Sequence, residues 1–308
     1  MNELTIIMYH YVRPIKGSEY PGIKGLEIDG FKRQLDYLAQ TYNVISTDQV
    51  ICAATGSSHL PDNPCWLTFD DGYKDHFKHV LPELLGRNLH GAFFPPRVAI
   101  EEDVLLDVNA IHHILSCSFD VKHVVARLKS HCITDGISEN SFDRYFEKYA
   151  VPTRFDNADT VFVKRMLQHV LPEQLRSFIC DSLFQEFVGV SASEFSTELY
   201  MTVDEVKELV NCGMYVGSHG SSHCWLNKVS PEEQDKDIKC SLNFLEEIGA
   251  ATTDWVMCYP YGAHDDATLA VLNKYGASVG ITTEARVADL KADNPFALPR
   301  LNTNDFPQ

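Results

Sequence analysis

Two adjacent carboxylates, Asp70 and Asp71, stand at the end of an apolar run and are followed by Gly72. The run over residues 65–69 predicts a short buried strand, and the glycine frees the backbone to turn there. Because neighbouring carboxylates at a buried strand end repel each other, a cation or a proton is expected to relieve them. The alternative is a loop in which one aspartate caps the next helix, and the pair alone does not decide.

His219 and His223 lie four residues apart, directly after another predicted strand. In one helical turn, or in a tight loop, two such imidazoles can meet at one metal ion. No glutamate lies between them, so the segment lacks the base of the H-E-x-x-H proteases, and by itself the pair is also typical of core or surface histidines. Joined by a carboxylate from another strand end, it becomes a two-His-one-Asp set with an open position for water, as in catalytic sites.

These groups share one place in the predicted topology, because each follows the carboxyl end of a predicted strand. His10 ends the strand over residues 4–9, and the turn over residues 259–262 ends a later one. Repeated strand-then-helix units predict a parallel sheet covered by helices, and at least seven strands favour a closed or nearly closed barrel over an open doubly wound sheet. In a parallel barrel all these strand ends lie on one face, where catalytic groups collect.

Charge then divides the roles of the two aspartates. A carboxylate that binds a dication stays ionised and cannot usefully accept a proton, whereas a neighbour that does not bind it can take the proton from an attacking water. His10, on the opposite side, is the candidate to donate a proton to a leaving group.

Together these motifs resemble those of the polysaccharide deacetylase family, the NodB-homology or carbohydrate esterase family four group, whose members hydrolyse N-acetyl or O-acetyl groups on sugars. Residues 68–72 (TFDDG) resemble the first motif, residues 219–223 the H-x-x-x-H second motif, and residues 259–262 (YPYG) the third. The resemblance implies a deformed (β/α) barrel of about seven parallel strands. It also implies one divalent metal, zinc in first place with nickel, cobalt or manganese as alternatives. The implied roles are Asp70 as general base, Asp71, His219 and His223 as metal ligands, and the turn at Tyr259 and Tyr261, with a backbone amide near Tyr261, as part of the oxyanion hole.

The sequence departs from the family pattern at three places. Gly220 stands where Ser or Thr usually follows the first histidine, and Cys258 lies where the third motif often carries an arginine that orients the base. Arg300 is the candidate to serve instead. The C-terminal Leu-x-His segment that provides the general acid is absent, but residues 8–12 (MYHYV) resemble the circularly permuted branch, which includes exopolysaccharide deacetylases. There the first strand supplies that histidine, so the resemblance implies His10 as the acid.

Between the motif-bearing parts, residues 97–199 are predicted to be almost entirely helical. We interpret the chain as a single deacetylase-like domain over residues 1–308 with this segment as a helical insertion. The insertion is expected to pack on the barrel or to form a homo-oligomer, and the alternative is that it overhangs the strand ends and selects the substrate. Its aromatic residues are spaced as core rather than as a cofactor site; they are Phe142, Tyr145, Phe146, Tyr149, Phe155, Phe162, Phe178, Phe184 and Phe187.

Composition bounds the class of protein. The 308 residues are 44% hydrophobic and 22% charged, which is ordinary for a globular chain, and the net charge of −17 argues against nucleic-acid or anionic-membrane partners. Nine cysteines without a C-x-x-C pair favour free thiols in a reducing compartment. No leader-like segment opens the sequence and no apolar run is long enough to span a membrane, so a cytoplasmic location is expected.

The sequence therefore predicts a metal-dependent hydrolase that removes an acetyl group from a sugar or glycan precursor. In the cytoplasm, the substrate is expected to be a nucleotide-linked, lipid-linked or free N-acetylated sugar or oligosaccharide. Two alternatives stay open: a catalytically inactive carbohydrate-binding protein on the same scaffold, and a deacylase of a non-sugar amide.

Overall fold

The computed structural model describes residues 3–118 and 120–308, which form two compact units. The first unit holds the described residues through Arg13 together with Gly25–Asp103 and Leu199–Gln308. The second holds Pro14–Lys24 and Val104–Glu198. The second unit thus takes in most of residues 97–199 and also an N-terminal segment that the sequence did not associate with it. The interpretation of residues 1–308 as a single domain stays a prediction.

The strands belong to the first unit, and the helices are divided between the two. The strands are β1 (Glu3–Tyr9), β2 (Asn43–Val44), β3 (Pro64–Asp70), β4 (Ala92–Phe94), β5 (Tyr215–Val216), β6 (Trp255–Cys258), β7 (Ala277–Ile281), β8 (Ala288–Asp289) and β9 (Leu301–Asn302). The helices of the first unit are α1 (Ile28–Thr41), α2 (Thr47–Ala54), α3 (Leu81–Gly86), α4 (Arg97–Glu101), α11 (Val203–Asn211), α12 (Pro231–Glu247) and α13 (Asp266–Lys274). Those of the second are α5 (Asp107–Cys117), α6 (Val121–Thr134), α7 (Glu139–Tyr149), α8 (Ala158–Arg165), α9 (Glu173–Val188) and α10 (Ala192–Leu199). Short π-helical segments cover His76–Val80 and Met166–Val170, and 3-10 turns cover Leu226–Lys228, Pro260–Gly262 and Thr303–Asp305.

Seven parallel strands close into a ring. The pairs β9–β1, β1–β3, β3–β4 and β4–β5 form one run, and β6–β7 forms a second. Two parallel bridges join the runs: Ser218, just past β5, pairs with Met257, and Ile281 pairs with Leu298, just before β9. The short strands β2 and β8 add to β3 and β1. The predicted deformed (β/α) barrel of about seven parallel strands with a helical insertion is confirmed.

Alternate strand residues fill the buried core of this barrel, as the two-residue period of a strand requires. On β3, Trp66 belongs to the core cluster, and the same alternation carries Thr68 and then Asp70 to the same side at the carboxyl end of the strand. Leu298 belongs to the cluster as well, and Arg300 lies two residues beyond it. The strand members of the cluster are Leu4, Ile6, Trp66, Ala92, Phe94, Val256, Cys258, Val279, Ile281 and Ala288.

The helical unit has an aromatic core of its own. Phe142 and Phe162 are buried and meet edge to face with ring centroids 5.3 Å apart, and Phe184 is fully buried. Phe155 and Phe178, in contrast, are 51% and 56% exposed, so the expectation that all the spaced aromatic residues form core is wrong for these two. Among the described residues, no helix is both long and apolar enough to cross a membrane.

Candidate active site

Asp70 lies at the carboxyl end of β3, beside the end of β1. The register pairs Tyr9 with Phe69, so His10 and Asp70 are the next residues on the two strands. His10 Nε2 lies 3.9 Å from Asp70 Oδ2, which is beyond hydrogen-bond distance. The Asp70 side chain is 3% exposed, whereas that of His10 is 37% exposed. The two predicted catalytic side chains are therefore brought together, one inside the barrel end and one open to solvent.

Arg300 holds the Asp70 carboxylate with both arms of its guanidinium. Nη1 donates to Oδ1 at 2.8 Å and Nη2 donates to Oδ2 at 2.7 Å. Nη1 also donates to the Thr68 hydroxyl and Nε donates to the carbonyl of Thr282, so the fully buried guanidinium is fixed in place. Although burial by itself raises the pKa of Asp70, the charge and hydrogen bonds of Arg300 lower it to about 2. Asp70 is thus an ionised, oriented carboxylate at ordinary pH.

Asp71, His219 and His223 form a separate buried cluster. Asp71 Oδ1 lies 3.3 Å from Nε2 of His219 and 3.3 Å from Nε2 of His223. His219 Nδ1 donates to the carbonyl of Cys258 at 2.7 Å, so in the neutral imidazole Nε2 carries a lone pair. That lone pair faces a carboxylate oxygen, an arrangement that is favourable only with a cation or a proton between them. The predicted ligand residues are therefore placed together.

The donor set suits a small divalent cation. The three ligand atoms all lie within 4.8 Å of one another, and tetrahedral ligands at about 2.0–2.2 Å from zinc lie about 3.3–3.6 Å apart. In metal sites the ring nitrogen of histidine that does not bind the metal usually donates to a carbonyl or carboxylate, as Nδ1 of His219 does to the Cys258 carbonyl. Although burial raises the pKa of Asp71, the two imidazoles that face it lower that pKa well below its ordinary range. These residues fit one metal with a position left open.

A second group of possible donors, Asp70, His219 and Cys258, fits a metal less well. The Arg300 guanidinium already occupies both oxygens of Asp70, so a cation there would meet a charge of its own sign. Burial raises the pKa of the Cys258 thiol, which keeps it in the protonated form that binds metals poorly. Asp71, His219 and His223 therefore suit a metal better than this second group does.

Gly72 turns the chain directly after the two aspartates. Its φ is +71°, and a Cβ at this position would lie 2.8 Å from Cβ of Pro95, so both conformation and space require glycine. Asp71, His223 and Tyr261 also have positive φ, of 71°, 54° and 59°. Such backbone costs about 1–3 kcal/mol per non-glycine residue and is typical of functional sites.

The two tyrosines of the third motif differ in placement. Tyr259 is fully buried; its hydroxyl donates to the Phe296 carbonyl and its amide to that of Ile281. Tyr261 lies next to the metal-ligand cluster, with its ring 4.9 Å from that of His223 and stacked on Trp225 at 4.4 Å. Their assignment to the oxyanion site stays a prediction, and the geometry favours Tyr261.

Tyr73 is a site residue that the sequence analysis missed. Its hydroxyl donates to Asp71 Oδ2 at 2.6 Å, on the opposite oxygen from the two imidazoles. The ring is fully buried and stacks on Tyr11 at 4.2 Å. Its position two residues after Asp71, across the glycine turn, was the available signal. Tyr73 orients Asp71 so that Oδ1 faces the histidines.

We expect Tyr73→Phe to weaken zinc binding by about tenfold, because partners that orient a ligand are worth about 10–100-fold in metal affinity. The ring stack remains, so the fold should persist. Competition with a chromophoric chelator measures the zinc Kd. Tyr9→Phe is the matched control, since Tyr9 is an equally buried tyrosine whose hydroxyl donates to Gln34. Equal zinc affinity in the Tyr73→Phe and Tyr9→Phe proteins would contradict this role.

Comparison with known proteins finds similarity to polysaccharide deacetylases. The family model described as polysaccharide deacetylase matches residues 155–280, a stretch that includes His219, His223 and the turn at Tyr261. The Bacillus subtilis protein YxkH, named as a polysaccharide deacetylase, is 27% identical over 105 residues. That match covers 34% of this chain and 37% of YxkH.

Solved structures match nearly the whole chain. The deacetylase PplD of Streptococcus pyogenes, solved with acetate, aligns with a TM-score of 0.60 and 17% identity over 97% of this chain and 92% of PplD. IcaB of Ammonifex degensii aligns with a TM-score of 0.56 and 18% identity over 98% and 92%. The BpsB deacetylase domain of Bordetella bronchiseptica aligns with a TM-score of 0.55 and 15% identity over 98% and 96%. At these identities the likeness is one of fold.

Proposed function

Because the chain belongs to the polysaccharide deacetylase family, we propose that it hydrolyses an N-acetyl or O-acetyl group of a sugar. The observation that carries this proposal is the arrangement of the two aspartates. Asp71 faces two imidazoles in a buried cluster suited to a metal, while Asp70 is held ionised beside that cluster by Arg300. A carboxylate next to, but outside, a three-ligand set is the requirement for base-assisted attack by water.

We assign one divalent metal to Asp71, His219 and His223, zinc in first place and nickel, cobalt or manganese as alternatives. When bound there, the metal supplies Lewis acidity, which lowers the pKa of water and polarises the acyl carbonyl. The oxygen- and nitrogen-containing donor set supports all four metals, and zinc accords best with its size and its two imidazoles.

Asp70 accepts the proton of the attacking water in this proposal. Its carboxylate is ionised because Arg300 lowers its pKa to about 2, and both its oxygens are oriented by the same guanidinium. Arg300 is a positioning residue, since it acts through Asp70. The fork geometry of a guanidinium matches a carboxylate in a way that lysine cannot.

His10 donates a proton to the departing sugar nitrogen or oxygen. Its partial exposure suits this task, because a group in contact with solvent can regain its proton between turnovers. We place the oxyanion against the backbone near Tyr261, where the chain turns with positive φ beside His223. Tyr259 supports that turn from the core.

We further propose a reducing, cytoplasmic location and a precursor substrate. All nine cysteines are free thiols in the structure, and a chain rich in free thiols suits a reducing compartment. We propose that the substrate in the cytoplasm is a nucleotide-linked, lipid-linked or free N-acetylated sugar. A homo-oligomer formed through the helical unit stays a prediction.

Acetate release tests the proposal. Zinc-loaded protein is expected to release acetate from at least one member of a panel of free, nucleotide-linked and oligomeric N-acetylated sugars. Removal of the metal with a chelator should lower the rate by at least about 100-fold, and zinc should restore it. Saturable sugar binding without acetate would support the inactive binding protein instead. Release only from non-sugar acetamides in the panel would support the amide deacylase.

A further inference from the structure

The segment that carries the two histidine ligands is not a helix. Residues 219–223 form a loop in which Gly220 and His223 have φ of +70° and +54°. The four-residue spacing therefore does not place the imidazoles on one helix face, and other contacts must fix the loop. Both imidazoles nevertheless reach the same oxygen of Asp71 at 3.3 Å.

Asp237 supplies hydrogen-bond acceptors for this loop. It lies on α12, on the same buried helix face as Gln234 and Ser241, and is 9% exposed. Oδ2 accepts the amide N–H of Ser221 at 2.8 Å. Oδ1 accepts both the amide N–H of Ser222 at 2.8 Å and its hydroxyl at 2.6 Å. One carboxylate thus binds two of the three residues between the ligands with three hydrogen bonds.

Gly220 makes room for that carboxylate. A Cβ on residue 220 would lie 2.7 Å from Asp237 Oδ2, and its φ of +70° already disfavours a side chain. The glycine that departs from the Ser or Thr of the family motif is therefore matched to an acidic residue on α12. The space at residue 220 lets the Asp237 carboxylate reach the amide of Ser221.

The opposite side of the loop is fixed by α4. The Val98 amide donates to the Ser221 carbonyl at 3.0 Å, and Arg97 Nε donates to the Ser221 hydroxyl at 2.8 Å. Ser221 is therefore held by both α4 and α12, and Ser222 is held by α12, while His219 and His223 face Asp71. Asp237 is the charged acceptor in this set, and hydrogen bonds to a charged group are about twice as strong as neutral ones.

We propose that Asp237 is a positioning residue of the metal site, which holds the loop so that His219 and His223 converge on one ion. This rests on the proposed function, because it presupposes the metal assignment. Asp237 is not one of the three candidate ligands, and its carboxylate bonds to Ser221 and Ser222 rather than to the imidazoles. Its carboxylate fixes the distance between the imidazoles of His219 and His223, and removal of that carboxylate would let the two imidazoles move apart.

Asp237→Asn tests this, since it keeps the size of the side chain but turns one acceptor into a donor that repels an amide N–H. We expect the zinc Kd to rise by about 10–100-fold. In cobalt-loaded protein we expect a changed visible absorption spectrum, which reports ligand geometry and which a loss of stability alone would not move. Asp235→Asn is the matched control: it lies on the same helix, but its carboxylate pairs with the exposed Lys274. Its zinc Kd and cobalt spectrum should match those of the wild type.

A second variant, Ser222→Ala, tests the proposal even if Asp237→Asn does not fold. Ser222→Ala removes one hydrogen bond to Asp237 from an exposed residue and should weaken zinc binding to a smaller extent than Asp237→Asn. The proposal is overturned if folded Asp237→Asn binds zinc as the wild type does. If Asp237→Asn does not fold, an unchanged zinc Kd in Ser222→Ala overturns it. Failure of the wild type to bind zinc would instead refute the metal assignment, so the two failures are distinguishable.

Discussion

Zinc-loaded Asp70→Asn protein should release acetate at least about 100-fold and up to about 10,000-fold more slowly than the wild type, while it keeps its metal. The amide cannot accept the proton of the attacking water, and a positioned base contributes about that factor. Metal should be retained because Asp70 lies outside the cluster of Asp71, His219 and His223. Acetate release and bound zinc, measured on the same sample, check both halves.

Asp71→Asn is the matched control for this prediction, since it makes the same chemical change one residue away. It should lose zinc affinity first and activity as a consequence, because Asp71 faces both imidazoles. Circular dichroism confirms that each protein is folded. If Asp70→Asn retained near wild-type activity, or if it lost its zinc as Asp71→Asn does, the division of labour between the aspartates would be wrong.

Arg300→Met should have the largest effect on stability. The fully buried guanidinium holds both oxygens of Asp70, and its removal leaves a buried carboxylate without a counter-charge. Breaking such a buried pair costs about 3–5 kcal/mol of unfolding free energy. Removing both charges in Asp70→Asn/Arg300→Met should restore part of that loss, because no buried charge then stays unpaired. Urea unfolding measures all three free energies.

In Arg300→Met, the contribution of Asp70 to the unfolding free energy should change with pH in the opposite direction to that in the wild type. In the wild type the pKa of Asp70 is lowered from 3.8 to about 2, so its ion pair stabilises the fold above pH 4 and that contribution is lost as pH falls through about 2. Without Arg300, only the charges of His10 and His219 oppose burial, which is the largest single influence, so we expect the pKa of Asp70 to lie above its ordinary value. Its contribution is then favourable at low pH and is lost as pH rises, and activity should decline on the acid side at a higher pH than in the wild type.

Arg127→Met is the matched control for the loss of an arginine. Arg127 binds Glu186 through two guanidinium nitrogens, as Arg300 binds Asp70, but on the exposed surface of the helical unit. Surface pairs of this kind contribute little to stability. An Arg300→Met protein no less stable than Arg127→Met, with an unchanged pH profile, would contradict the assigned role of Arg300.

The barrel and the positions of the candidate site residues could be predicted because both follow from local patterns. A buried strand that ends in polar residues places those residues at the carboxyl face of a parallel barrel wherever the strand sits. His10, Asp70 and His219 each follow this rule, and the structure brings them together. Their chemical roles stay predictions.

Contacts between residues distant in sequence could be predicted only loosely or not at all. Arg300 was named as a candidate partner of the base, but its paired hydrogen bonds to a carboxylate 230 positions earlier depend on how the last strand closes the ring. Asp237 gave a fainter signal, an acidic residue on the apolar face of α12, and acidic residues are rarely buried without a partner. The reason for Gly220 is visible only once that carboxylate is in place.

The bounds of the second unit also depend on contacts between residues distant in sequence, and they could not be predicted from the sequence. The sequence pattern predicted the helical segment over residues 97–199 but did not associate Pro14–Lys24 with it. That segment contacts the helical unit through the ion pair of Lys24 with Asp156 and through the Tyr20 ring, which lies 5.0 Å from the ring of His113. A loop has no periodicity that could assign it to one unit or the other. Contacts between side chains that are distant in sequence decide which unit the loop joins, and the local sequence pattern does not predict those contacts.

Hydrolysis of an accepted N-acetylated sugar in ¹⁸O-labelled water shows whether water attacks the acyl carbon. We predict that zinc-loaded protein releases acetate carrying one ¹⁸O atom from water, together with an equal amount of free sugar amine that carries none. Sugar binding with no acetate, or acetate without the label, would contradict a deacetylase in which water attacks the acyl carbon.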